Sequence, residues 1–184
     1  MTVIAVKAGQ GWRIAGWSML VALLAVPAVT MCFTAEVRWT ASDFLAAAVL
    51  LGLLGLGAEF AVRRPGGTFA RLGMAVAALT AFLLIWVNLA VGVIGSERND
   101  ANLMFAGVLA VAVGGACLAR FQPAGMARAM GATAVAQALV GCAALVLGLG
   151  AEGAMWPGDI IGATVLFAGL WLFSAMLFRR AAAR

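Results

Sequence analysis

Glu59 is the residue of this 184-residue sequence whose type and position most directly suggest chemistry, because it is an acid inside a long apolar stretch. A carboxylate within a membrane-spanning segment is by default a candidate site for a proton or a cation. Arg63 follows four residues later, and Glu before Arg at this spacing favours an ion pair on one helix face. Glu59 therefore has two interpretations, an ion pair at the membrane interface and an ion-binding site.

Thr80, Asn88 and Gln137 are the other polar side chains that fall deep within apolar stretches. By residue count, Thr80 and Gln137 lie near the middle of their stretches, and Asn88 lies toward the outer end of its own. Such residues usually form hydrogen bonds between helices, worth about 0.6 kcal/mol on average. The alternative is that they line a small polar cavity between the third and fifth helices.

The segment around Glu97 and Asp100 is the densest polar stretch, and its side chains offer the oxygen ligands that hard cations prefer. Its spacing does not match an EF-hand loop, and Arg98 within it favours internal salt bridging. We expect a hydrogen-bonded outer loop. The loop acids belong to an acidic face that attracts cations or a basic partner; its other members are Glu36, Asp43, Glu152 and Asp159.

Several chemistries lack the residues that they need. The sequence has no His and three Cys, so it offers no His-ligated metal and no His general base. We interpret Cys32, Cys117 and Cys142 as small apolar residues, with a Cys32–Cys142 bridge as the alternative. Glycine-rich runs lie inside apolar stretches, where they indicate packing and not phosphate binding. We therefore predict no catalytic residues, no metal, no cofactor and no enzyme activity.

The elements that must position these residues are long apolar helices. The composition is 65% hydrophobic and 10% charged, whereas soluble domains carry about 25% charged residues. Backbone groups in lipid must be paired internally, so each apolar stretch is predicted to be a helix. We predict an all-α fold, a single polytopic transmembrane domain of six helices over residues 1–184, with spans at 13–33, 41–62, 71–94, 102–121, 125–149 and 159–178.

Short loops join these spans, so we expect sequential helices to be antiparallel neighbours. Nearly all of the 12 basic residues lie at the termini and alternate loops, and nearly all of the 7 acidic residues lie at the other loops. Because Lys and Arg are retained on the cytoplasmic side, this predicts cytoplasmic termini. The preference for Arg, Ala and Gly is typical of GC-rich bacteria, which predicts a bacterial inner membrane. Isolated basic residues at helix ends do not indicate nucleic-acid binding.

Arg13, Arg71 and Arg128 open the odd-numbered helices at nearly equal spacing. The even-numbered helices open with residues of N-cap type, which are Ser42-Asp43, Asn102 and Asp159. The chain therefore has an interpretation as three consecutive hairpin repeats. The alternative is that any chain with uniform hairpins and a cytoplasmic N-terminus places its charges in this way.

Glycines are spaced seven residues apart on the last three helices. Small residues let membrane helices approach closely, and a seven-residue period predicts a left-handed crossing. We expect tight packing of helices 4–6 through these pairs, which are Gly107 with Gly114, Gly141 with Gly148, and Gly162 with Gly169.

The sequence favours a non-catalytic accessory or scaffold subunit that packs in the lipid bilayer against another membrane protein or against itself. The supporting features are minimal loops, few buried polar groups and abundant small residues. The alternative is a small channel or transporter for an ion or neutral solute that uses Glu59, Asn88 and Gln137.

Overall fold

The computed structural model describes residues 2–63 and 67–183, in which the regular secondary structure is helical and neither range contains a strand. Side chains are described from residue 11 onward. A 3-10 turn at Asp100–Leu103 precedes the fourth helix. The helices are α1 Thr2–Thr30, α2 Ala41–Arg63, α3 Thr68–Ala90, α4 Met104–Leu118, α5 Pro123–Val146 and α6 Gly158–Ala182.

Six segments of the described chain are long and apolar enough to cross a membrane, and each overlaps one predicted span. They indicate a multi-pass membrane protein with an all-helical fold. The largest differences between the predicted spans and the structure lie at the helix ends. The first span begins at Gly11, near the predicted residue 13, within a helix that begins at Thr2. The third helix ends at Ala90 and not at residue 94. Gly92 ends α3 because its φ of +73° leaves the helical region, and its N–H donates to the Val87 carbonyl.

The start of α2 is fixed by a reciprocal cap. The backbone N–H of Thr40 donates to Asp43 Oδ2 at 2.7 Å, and the Asp43 N–H points back to Thr40 Oγ1 at 3.4 Å. This is the capping-box arrangement, in which two otherwise unpaired donors are satisfied together. Thr40 therefore caps α2, two positions before Ser42, the first residue of the predicted Ser42-Asp43 pair.

The chain divides into two compact units, Met1–Arg63 and Arg64–Arg184. The first unit is the hairpin of α1 and α2. Its buried positions on α2 are small or aliphatic, which lets the two helices approach; they are Ala47, Leu51, Gly55 and Ala61.

The second unit holds α3 to α6, and α6 is its central helix. α6 packs against both α5 and α3, and α4 packs against α5. The expectation that sequential helices would be neighbours is therefore wrong for α3 and α4, because α3 packs on α6 instead. The cause is local: Ser174 on α6 donates to the Gly73 carbonyl of α3 at 2.8 Å, and the Phe178 ring lies over the same glycine.

Two apolar clusters fill the second unit, and each draws on several helices. The first centres on Met126, Met130 and Trp171, and the second on Leu84, Phe105 and Phe167. Along α5, the first cluster ends at Ala134 and the second begins at Ala136. Buried side chains with polar atoms on α3, α5 and α6 lie within one helical turn of this boundary along the chain. We call these residues the polar layer. Each is at most 1% exposed, and they are Thr80, Thr133, Gln137, Trp171 and Ser174.

Candidate functional site

Glu59 lies in a network that joins the two helices of the first unit. Its Oε1 accepts hydrogen bonds from Arg13 Nε at 2.9 Å and from Trp17 Nε1 at 3.0 Å. Its Oε2 lies 2.8 Å from Arg63 Nη2, the i, i+4 pair that the sequence indicated. Only 18% of the Glu59 side chain is exposed, against 52% for Arg13 and 63% for Arg63. The carboxylate is thus held between two cations that remain partly in contact with the surroundings.

Gly55 makes room for this network one helical turn before Glu59. A Cβ at Gly55 would lie 2.9 Å from Trp17 Cη2 and 2.8 Å from Leu20 Cδ1, so the Trp17 ring lies directly over the glycine backbone. That position brings the indole N–H to Glu59. A larger residue at 55 would push the ring away from the carboxylate.

The arrangement limits what Glu59 can do. Both of its oxygens already accept from donors on α1 or α2, and two of those donors are guanidinium groups. A coupling cation would have to displace an arginine from the carboxylate. The network is therefore better suited to holding α1 against α2 than to binding an ion.

Arg13 and Trp17 were missed as partners of Glu59, although the sequence contained the signal. They are four residues apart at the start of the first apolar stretch, and Glu59 and Arg63 are four apart at the end of the second. An antiparallel hairpin places those two ends together. The pairing could therefore have been inferred from spacing and topology.

Thr80 and Asn88 do not form the interhelical hydrogen bonds that were predicted for them. Thr80 Oγ1 donates to the Val76 carbonyl and Asn88 Nδ2 to the Leu84 carbonyl, both at 2.7 Å and both within α3. Each bond returns to the preceding turn, as Ser, Thr and Asn side chains commonly do in helices. The interhelical bond of this region comes from Ser174, which the sequence did not single out.

Gln137 is fully buried on α5, and neither of its amide atoms has a hydrogen-bond partner. Trp171 Nε1 and Thr164 Oγ1 on α6 are also buried without partners. Gly141 lies against Thr164, so the antiparallel register of α5 and α6 places Gln137 near residue 168, beside Trp171. At this level α5 packs on α6, and the polar cavity between the third and fifth helices stays a prediction.

Asn102 holds the connection between α3 and α4 and does not cap α4. Its Oδ1 accepts from the backbone N–H groups of Val93 and Ile94 at 3.0 and 2.9 Å. Its Nδ2 donates to the carbonyls of Ile94 and Ser96 at 3.3 and 2.7 Å. The 3-10 turn is instead capped by Asn99, whose side chain accepts from the Ala101 N–H. Two candidate cation ligands of this loop are thus occupied by its own backbone.

Glu97 lies 3.7 Å from Arg98, and Asp100 begins the 3-10 turn. In the described ranges, no three Cys, Asp or Glu side chains group closely enough to hold a metal ion. The loop packs instead on the α5–α6 connection through backbone: a Cβ at Gly150 would lie 2.7 Å from the Gly95 nitrogen.

Of the six glycines predicted to pack helices 4–6, only Gly141 does so within the chain. A Cβ there would lie 2.9 Å from Thr164 Cβ. Gly148 lies beyond the end of α5 with a φ of +64°. The other four are exposed with open space around their Cα atoms: Gly107, Gly114, Gly162 and Gly169. The spacing of seven identified a face of each helix without indicating whether that face turns inward.

No family model, no curated protein and no solved structure matches the chain.

The contact of α4 with α5 uses a small residue outside the predicted pairs. A Cβ at Gly115 would lie 2.8 Å from the Ala129 Cβ, so the two helices approach closely at this point. Ala112 and Ala116 are buried on the same side of α4. The second half of α4 therefore packs on α5 through small side chains, whereas Phe105 and Val108 in its first half belong to the second apolar cluster.

Proposed function

We propose that the protein is a non-catalytic membrane subunit that associates with another membrane protein through the outward face of α4. The observation that carries this proposal is that α4 has small residues on both sides. One side packs on α5, and the opposite side is exposed. We call the exposed side the small face, which consists of Ala106, Gly107, Ala110, Gly114 and Cys117.

Larger exposed side chains flank the small face. Val113 lies on one side of it at 64% exposure, and Val111 and Leu118 lie on the other at 38% and 89%. A shallow channel with a glycine and alanine floor and aliphatic walls is the shape into which a second apolar helix packs. Association in lipid depends on such close packing, since lipid tails are as apolar as the helices themselves.

The occupant that fits is a transmembrane helix, because the small face has no charged group and lies within the apolar segment Asp100–Leu118. The ion pairs that Glu59 forms with Arg13 and Arg63 support the same function. A carboxylate held between Arg13 and Arg63 is poorly placed to bind a transported ion.

Cys117 gives a direct test because it lies on the small face and is exposed. In a protein with Cys32 and Cys142 replaced by serine, a benzophenone maleimide attached to Cys117 in native membranes should, on illumination, insert into a C–H bond of the neighbouring chain and link the two. Gly114→Leu should abolish that product, because the leucine fills the floor of the channel.

The matched control is a protein that keeps only Cys142, which is exposed on α5 near Leu139 and Val135. It should yield no product under the same conditions. Equal products from both cysteines would indicate random collision and contradict the proposal. A cross-linked product that survives Gly114→Leu would also contradict it.

For orientation, we propose cytoplasmic termini in a bacterial inner membrane, supported by the sorting of Arg and acidic residues between alternate loops. The three-hairpin repeat remains a prediction.

A second candidate function is a passage for a small neutral solute, and it is supported by unpaired buried atoms of two polar-layer residues, Gln137 and Trp171, and of Thr164 on α6. A buried donor or acceptor without a partner costs about 1–3 kcal/mol. Gln137, Trp171 and Thr164 would recover that cost by binding water or a polar solute.

Vesicle swelling distinguishes this second candidate. Vesicles with the purified protein should swell faster in glycerol or urea than empty vesicles if the polar layer conducts solute, and Gln137→Leu should remove the difference. Swelling equal to that of empty vesicles would rule it out.

A further inference from the structure

An open groove of about 610 Å³ lies where the start of α5 meets the end of α6. Two arginines form its polar walls, and alanines form its floor, so a ligand can approach the backbone of both helices. The lining residues are Ala124, Ala127, Arg128, Arg179, Ala182 and Ala183.

No acidic side chain among the described residues of this unit neutralises the positive charge of the groove. Neither Arg128 nor Arg179 forms an ion pair in the described part of the chain. The acids of this unit all lie at the opposite ends of the helices or in the connections there: Glu97, Asp100, Glu152 and Asp159. Both guanidinium groups are therefore available to an anion from outside the chain.

The start of α5 also favours the binding of an anion in the groove, in addition to the two arginines. Pro123 occupies its first turn, and no side chain caps its N-terminus. The uncapped N–H groups and the helix dipole both favour a negative charge at this point. Arg128 follows within the next turn, so the arginine and the helix start face the same region.

The groove lies at the depth of lipid headgroups. From Arg128 to the end of α5 at Val146 the helix rises about 27 Å, which nearly matches a hydrocarbon core of about 30 Å. Arg179 lies in the last turn of α6, at the same end of the helix pair. A phosphate at this level would have the acyl chains of its lipid along the apolar helix surfaces.

We infer that the groove binds the phosphodiester of an anionic phospholipid. Arginine matches phosphate oxygens with paired N–H donors, and basic pockets between membrane helices are known sites for anionic headgroups. The alanine floor leaves space for the glycerol and the first acyl carbons, which a binding site for free phosphate would not need.

Native mass spectrometry of the full chain in detergent tests this inference. Phosphatidylglycerol and phosphatidylcholine with identical acyl chains are titrated separately onto the protein. We expect phosphatidylglycerol to bind at least tenfold more tightly, and the double variant Arg128→Gln with Arg179→Gln to lose that preference. Ala182→Leu should lose it as well, since it fills the groove at an exposed position and leaves the charge unchanged.

The control for charge is the double variant Arg71→Gln with Arg180→Gln. It removes the same charge from exposed positions outside the groove lining, and we expect its lipid preference to stay within twofold of wild type. Equal affinity for the two lipids, equal loss in the control, or displacement of the lipid by millimolar inorganic phosphate would overturn the inference.

Discussion

At the scale of single residues, two polar side chains of the membrane-spanning helices each join neighbouring helices of their own unit. Glu59 accepts from Arg13, Trp17 and Arg63, so one carboxylate joins α1 to α2. Ser174 joins α6 to α3 in the same way through the Gly73 carbonyl. Gln137 joins no helices in this way, because it is buried with no partner for either amide atom.

Glu59→Gln should lower the midpoint of thermal unfolding in detergent, because two guanidinium groups lose their counter-ion. The arginines are more than half exposed, so salt screens the attraction in the wild type. The difference between variant and wild type should therefore shrink as NaCl is raised. Glu36→Gln, which removes an exposed loop carboxylate, is the control, and a salt-independent difference would contradict the ion-pair explanation.

Exchanging the charges of Glu59 and Arg63 should destabilise the protein, although the i, i+4 spacing alone suggests a neutral change. The exchanged guanidinium at 59 would face Arg13, which contacts Glu59 Oε1 at 2.9 Å in the native chain. The thermal midpoint should fall below that of Glu59→Gln. A midpoint equal to that of wild type would show that Arg13 contributes nothing.

At the scale of elements, apolar length predicted where the helices lie, and small residues decided how they pack. Every predicted span overlaps a helix, because an apolar stretch of about 20 residues has no other way to satisfy its backbone in lipid. The ends depended on local chemistry. Gly92 in a left-handed conformation ended α3 early, and Thr40 capped α2 ahead of Ser42.

Packing partners could not be read from the sequence to the same extent. Short loops suggested that α3 would lie on α4, whereas Gly73, Ser174 and Phe178 place α3 on α6. In an apolar helix, a serine or glycine on the packed side looks the same in sequence as one on the lipid side. The Glu59 network was more predictable, since charges at the paired ends of a hairpin have few other partners.

Gly141→Ala should destabilise the second unit by about 1–3 kcal/mol, the usual cost of overpacking. The added methyl would lie 2.9 Å from Thr164 Cβ, which belongs to the neighbouring helix and cannot rotate away. Gly131→Ala on the same helix meets open space and should stabilise by about 0.5–1 kcal/mol. Thermal unfolding of both variants in one detergent checks this prediction. Stability changes of the same sign in the two variants would contradict it.

Asn102→Ala should destabilise by about 2–4 kcal/mol, since it removes four hydrogen bonds and leaves the buried N–H groups of Val93 and Ile94 unpaired. Asn99→Ala is the control, because its side chain accepts a single hydrogen bond from Ala101. It should cost about 0.5–1.5 kcal/mol. Hydrogen exchange at residues 93 and 94 should accelerate in Asn102→Ala alone.

At the scale of the whole molecule, the chain is a multi-pass membrane protein made of a two-helix unit and a four-helix unit. Each unit has its own polar connection between helices, Glu59 in the first and Ser174 in the second. Each unit can therefore be tested by variants that leave the other unit's contacts unchanged.

The proposed orientation predicts which loops face outward. In a protein whose native cysteines are replaced by serine, Glu97→Cys should react in intact cells with a thiol reagent that cannot cross membranes. Gly67→Cys should react only after the cells are opened. Gly67 has open space and an ordinary backbone conformation, so the substitution is compatible with the fold. The reverse labelling pattern would show that the orientation is opposite to the proposed one.

The backbone contact between Gly95 and Gly150 has a consequence for how this sequence can diverge. Both residues have positive φ, +73° and +76°, and neither leaves room for a side chain against the other. Over evolutionary time the two loops are free to change charge and polarity at their exposed positions. We expect Gly95 and Gly150 to be inherited as a pair, so that a descendant which loses one glycine rebuilds both loops.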